Sequence, residues 1–193
     1  MSKKGDKTKQ LIKENAYSLF ARKGFKEVTM KDICESTGLS RGGLYRHYES
    51  TQQIFAEIIT SFLTTQDNDF STKIEKGISA AQILDEILDK YKGEMIDGKN
   101  SLSLAIYEYF SNENVREEEN LLYKQYITSF NSWDRLIQYG ISRGEFASVD
   151  SKSVFDLMVF SYQGVRMYSK LINIQEEIPE RIINQIKGLL LKK

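Results

Sequence analysis

The chain has 193 residues, and its 27 Lys and Arg balance 27 Asp and Glu, so the net charge is zero. A single cysteine excludes an intrachain disulfide, and no apolar run approaches the ~18 residues of a membrane span. The one proline is far below the roughly 5% of average usage, and period-two strand patterns are absent, so the chain reads as all-α.

The zero charge hides an asymmetry. Residues 1–50 hold 11 basic and 6 acidic side chains, and residues 51–193 hold 16 and 21. A basic N-terminal part on an acidic remainder is expected where only one end meets phosphate. No export signal opens the chain, which fits a cytoplasmic protein.

In chain order, a lysine-rich arm over 1–7 leads into a first helix over about 7–23. Leu11, Ile12, Ala16, Leu19 and Phe20 form its apolar stripe. Gly24 ends it, and Phe25 and Val28 seal the joint to the second helix. Thr29 reads as the N-cap of that helix, with Asp32 three positions on as an acidic capping-box partner. Met30, Ile33 and Cys34 recur at helical spacing, and Cys34 reads as packing rather than redox chemistry. Gly38 supplies the left-handed stop. Ser40 caps a short third helix over 41–48, and Ser50 caps a fourth. Helix, glycine-containing turn, helix is the helix-turn-helix pattern, whose second helix enters the DNA major groove.

That second helix of the pattern reads Arg41-Gly42-Gly43-Leu44-Tyr45-Arg46-His47-Tyr48. Glycine costs roughly 1 kcal/mol against alanine in a helix interior. Two of them flanked by basic and aromatic residues suit close backbone approach to DNA.

The fourth helix runs to about residue 70, and 71–79 reads as a connection. Helices come next over about 80–96, 101–111, 115–143, 151–172 and 179–191, about nine in all. The breaks fall at Asp97–Asn100, Asn112–Asn114 and Gly144–Phe146. The 151–172 helix is apolar around most of its circumference, so part of it must face another molecule. Together with 179–191 it is the expected homodimer surface, which would bring two recognition helices onto one palindrome.

The run from Thr29 to Ile54 resembles the DNA-binding domain of the tetracycline-repressor (TetR/AcrR) family. The matching residues are Gly24-Phe25, Thr29, Ile33, Gly38-Leu39-Ser40, Leu44-Tyr45, His47-Tyr48 and Ser50, and Gly144-Glu145-Phe146 also looks like this family. One departure stands out: the family's lysine after the last cap is Thr51 here. The resemblance implies a three-helix DNA-binding domain over 1–50 and a helical ligand-binding and dimerisation domain over 51–193. It implies a ligand-responsive regulator, a repressor released from a palindromic operator by a small hydrophobic or aromatic effector.

In this reading Thr29, Ser40, Tyr45, His47 and Thr51 position the protein on phosphates. Arg41 and the Gly42-Gly43 backbone read base edges, with Arg46 in either role. Tyr126, Phe130 and Trp133, then Phe62, Phe110 and Tyr162, are the candidate effector contacts among a large aromatic set. His47 is the only histidine, and no phosphate-binding glycine loop is present, so neither catalysis, a metal nor a cofactor is expected. The rival expectation is a DNA-binding factor without a ligand, whose C-terminal helices recruit a protein partner.

Overall fold

The computed structural model describes residues 3–111 and 120–192, with side chains for 5–61, 70–111 and 120–192. Its helices are α1 (Lys3–Lys23), α2 (Met30–Thr37), α3 (Arg41–Tyr45), α4 (Thr51–Glu75), α5 (Ala80–Ile96), α6 (Ser103–Phe110), α7 (Leu121–Ser142), α8 (Ser151–Tyr168) and α9 (Glu177–Leu190). The expected start of the seventh helix at 115 and the Asn112–Asn114 break lie outside the described residues.

Contacts divide the chain into two units, Met1–Phe62 with Lys99–Arg116, and Leu63–Gly98 with Glu117–Lys193. The backbone crosses between them within α4 and on either side of α6.

In the first unit Ile12, Ala16, Leu19 and Phe20 of α1 meet Ile33, Leu44 and Tyr48, and Ile54, Phe55, Ile58 and Ile59 of α4 complete the interior. Leu11, read as core, is exposed; the buried stripe begins at Ile12. Phe20, Phe25, Phe55 and Tyr109 form a ring cluster with centroids 4.9–5.7 Å apart. Lys9 and Lys13 both pair with Glu57, at 3.3 and 3.5 Å, tying α1 to α4.

The second unit packs α5, α7, α8 and α9 around Phe70, Ile83, Leu84, Trp133, Leu136, Phe155, Met158 and Ile186. The Gly144-Glu145-Phe146 turn anchors it. Gly144 takes φ +72°. The Glu145 carboxylate accepts the Ala81 N–H at 3.0 Å, supplying the start of α5 with an acceptor. Phe146 is buried against Gly140, where a Cβ would stand 2.4 Å from the ring. Gly140→Ala is therefore expected to cost about 1–3 kcal/mol by forcing that ring aside, read as a lowered Tm with helicity retained.

Other boundaries change too: α1 already begins at Lys3, within the stretch expected to be an arm. Residues 71–75 continue α4 rather than opening a connection, and Gly77 at φ +71° marks the turn. The 151–172 helix ends at Tyr168, where Lys170 and Leu171 close tighter turns back on Met167 and Tyr168, and Ile172 also bonds back to Tyr168. Its circumference is also divided: Val154, Phe155, Met158 and Tyr162 are buried, while Leu157, Phe160 and Tyr168 are exposed.

Candidate nucleic-acid interface

The first unit holds a short helix in a defined presentation. Thr29 is extended at φ −111° and closes a reciprocal capping box with Asp32, accepting its N–H at 3.2 Å and returning its own at 2.8 Å. Lys23, at the end of α1, pairs with the same carboxylate at 2.6 Å, so one side chain fixes both the start of α2 and the α1–α2 joint. Gly38 sits at φ +70° and stops α2. Ser40 Oγ then accepts the Gly43 N–H at 3.1 Å and starts α3. Leu44 is fully buried, so it sets which face of α3 points outward.

The outward face carries Arg41, Gly42, Tyr45 and Arg46, all exposed, with Tyr45 at 52%. His47 is half-buried in the turn after the helix, because α3 ends at Tyr45 rather than at 48. Tyr48 belongs to the core instead, where burial and the nearby Glu57 push its phenol well above the usual range. Thr51 begins α4, and Ser50 Oγ accepts the Gln53 N–H at 3.2 Å in that first turn. Six of the nine expected DNA residues thus lie on α3 and its two caps, and His47 follows in the next turn. The other two, Thr29 and Thr51, stand at the starts of the flanking helices α2 and α4. The Thr29 hydroxyl is committed to Asp32.

Two details separate this face from a packing surface. Lys9, Lys13, Lys23 and Lys31 are engaged by carboxylates, whereas no described side chain pairs with Arg41 or Arg46. Gly42 has open space where a Cβ would stand, so nothing in the fold requires a glycine there. Gly43 differs: a Cβ would sit 3.3 Å from Ser40 Oγ and crowd the cap.

The Asp32 box is acid-sensitive. Lys23 first, then the Thr29 hydroxyl and N–H, hold its carboxyl well below the usual range. A depressed carboxyl adds stability above its unfolded value of about 4, and that contribution fades as the pH falls toward the folded value. The Tm gap between wild type and Asp32→Asn should be widest near neutrality and narrow below about pH 4.

One positioning residue was not legible in the sequence. Glu108 on α6 accepts the backbone N–H groups of Phe25 and Lys26 at 2.6 and 3.0 Å. These amides lie in the turn after Gly24, which takes φ +81°, and a Cβ on Gly24 would stand 2.6 Å from the carboxylate. Tyr17 Oη also donates to the Asn100 carbonyl at 2.9 Å, so α1 holds the approach to α6 as well. A lone glutamate on an amphipathic helix carries no signal of a partner 83 positions away.

The expected effector residues fall in both units. Phe110 lies in the first unit, against Tyr109. The Phe62 side chain lies outside the described residues. Trp133 is buried, edge-on to Phe70 at 5.3 Å. Tyr126 and Phe130 pack on Phe155, with the Lys152 ammonium 5.0 and 4.8 Å from their rings. Tyr162 is buried between α5 and α8, bonded to Glu94 and Arg166. No described His, Cys, Asp or Glu groups are placed to hold a metal.

A capped helix-turn-helix on an all-helical chain defines a DNA-binding regulator. The family model for bacterial regulatory proteins of the tetR family matches residues 12–58. That for the tetracyclin repressor-like C-terminal domain matches residues 82–179. The HTH-type transcriptional regulator YfiR of Bacillus subtilis, itself uncharacterised, is 33% identical over 148 residues, 75% of this chain and 70% of its own. The HTH-type transcriptional repressor KstR2 of Rhodococcus jostii is 29% identical over 147 residues, 76% of this chain and 70% of its own. A solved regulator from Saccharomonospora viridis, in complex with choline, shares the fold with a TM-score of 0.76 at 15% identity, over 97% of this chain and 100% of that one. The chain belongs to the TetR/AcrR family of transcriptional regulators, and it is not an enzyme. No helix among the described residues is long and apolar enough to cross a membrane.

Proposed function

We propose that the protein is a cytoplasmic, ligand-responsive repressor that binds a palindromic operator as a homodimer and leaves it when a small molecule binds. The observation that carries the DNA part is the outward face of α3. Two guanidinium groups without a described partner flank a glycine that the fold itself does not need. Arg41 and the Gly42 backbone read base edges. Ser40, Tyr45, Arg46, His47 and the start of α4 at Thr51 meet phosphates, with Thr29 holding α2 in place. A bidentate Arg–guanine contact is worth roughly 1–3 kcal/mol of discrimination.

The exposed stripe of α8 supports the dimer. Leu157, Phe160, Gly164 and Tyr168 succeed one another at helical spacing, with Phe160 65% exposed. Leu171 and Ile172 extend the stripe beyond the helix, and Leu189 adds an exposed apolar side chain on α9. Such a patch on a small protein calls for a partner, and a two-fold pairing uses it twice.

The effector part rests on the family and on the aromatic and polar groups of the second unit. A ligand weakens DNA binding by its preference for the dimer shape that misplaces the recognition helices. KstR2 is a repressor, and a protein of this fold holds choline. Selection of duplexes from a random-sequence pool tests the central part. Enrichment of an inverted repeat, lost by Leu157→Asp/Phe160→Asp protein, is the expected result. Enrichment of a single unrepeated site by both proteins would overturn the dimeric reading.

A further inference from the structure

Within the second unit, α5 and α8 bring together a polar cluster whose outer member, Glu94, also pairs with Lys90 at 3.9 Å. Tyr162 is buried, and its phenol donates to the Glu94 carboxylate. Arg166, one turn along α8, donates from Nη1 to Tyr162 Oη at 2.7 Å. Burial drives the phenol well above its usual range, against the Arg166 charge and with help from Glu94, so Tyr162 stays neutral as a donor. The Tyr91 ring lies 4.5 Å from that of Tyr162 and 6.1 Å from that of Trp133.

The guanidinium in this cluster is incompletely used. Its Nε is cut off from solvent and has no acceptor. Among the described residues no carboxylate pairs with it directly, since Glu94 is reached only through Tyr162. A buried N–H without a partner is costly, and more so on a charged group. Nη1 serves Tyr162, so the unused Nε lies on the opposite edge of the fork. That edge is the geometry with which arginine takes a carboxylate side-on. Lys170, one turn further along, adds a second cation, lowered by its burial and by Arg166 and opposed by Asp97.

We propose that Arg166 is the anchor for a carboxylate-bearing effector, whose apolar body lies along Tyr91. The proposal rests on the reading of the protein as ligand-responsive and names the chemistry of that ligand. It separates the cluster from Lys152, whose ammonium is already held by Tyr126 and Phe130.

The test uses matched probes with the full-length protein: decanoate, decanol and decyltrimethylammonium, then 4-phenylbutyrate with 4-phenylbutanol. Titration calorimetry gives the affinities, and Trp133 emission reports on the Tyr91 side. The proposal expects each carboxylate to bind at least tenfold tighter than its alcohol. Arg166→Gln should bring the two within threefold, and Arg166→Lys should keep part of the preference if the glutamine variant folds poorly. Alcohol or ammonium probes that bind wild type as tightly as carboxylates would overturn the anchor while leaving an effector site in place. Unchanged carboxylate preference in both variants would overturn it as well. No binding of any probe, in protein that still binds its operator, would remove both the anchor and the apolar effector site.

Discussion

Gly42→Val is expected to abolish operator binding while leaving the protein folded. The fold offers open space at that position, so the added side chain meets nothing within the protein. Valine is also a better helix former than glycine, so Tm should hold or rise slightly. In the proposed complex the same atoms would stand where the α3 backbone approaches the groove floor. A clash of a few kcal/mol there lowers operator affinity by about 100-fold or more. Arg41→Ala, beside it, should lose roughly 10- to 100-fold on the operator and little on scrambled DNA, because it removes a base contact. Tyr45→Phe should weaken both DNAs alike. Operator affinity of Gly42→Val within about threefold of wild type would show that the DNA does not come close at α3.

Glu108→Ala should weaken the first unit more than any cap substitution. The carboxylate meets two backbone N–H groups, at 2.6 and 3.0 Å, in the turn after Gly24. Losing two charge-assisted bonds costs about 2–4 kcal/mol, against ~1 kcal/mol for a typical helix cap. The consequence reaches the DNA face. Phe25 and Lys26 lead through Val28 into the Thr29 box that starts α2, and α2 carries α3. Folded Glu108→Ala protein is therefore expected to bind its operator at least about tenfold more weakly. Glu108→Gln keeps an oxygen acceptor and should recover most of the loss. Equal operator affinity for all three folded proteins would reduce Glu108 to a packing residue.

The helix-turn-helix was legible because each of its decisions is local. Thr29 with Asp32, Gly38 and Ser40 each settle a boundary within four residues of themselves, and the caps, the stop and α3's start all appear as read. Boundaries failed where a tertiary contact decides. Leu11 and Ile12 both fit the apolar stripe of α1, and only the fold selects Ile12, which is fully buried where Leu11 is exposed. α4 continues past Phe70 because that ring joins the second unit's core, which no local signal announces.

The effector residues were the least legible part. Aromatic side chains at helical spacing look alike whether they line a site or fill a core. Trp133 is fully buried, which fits either role, and beside Tyr162 stand Glu94 and Arg166, two charges with no motif. The role of α6 was hidden for a different reason. Lys99–Arg116 joins the first unit although the chain on both sides belongs to the second. A cut at residue 50 respects sequence order, which contacts such as Glu108 with Phe25 do not obey.

The most direct test of sequence-specific binding through α3 is the salt dependence of affinity for the selected operator, with scrambled DNA as control. A specific regulator should show an affinity gap of about 10³ or more, and a log–log salt slope that several phosphate contacts require. In Arg46→Ala protein that slope should shrink by about one unit on both DNAs. Equal affinity for operator and scrambled DNA across the salt range would contradict a sequence-specific regulator acting through α3.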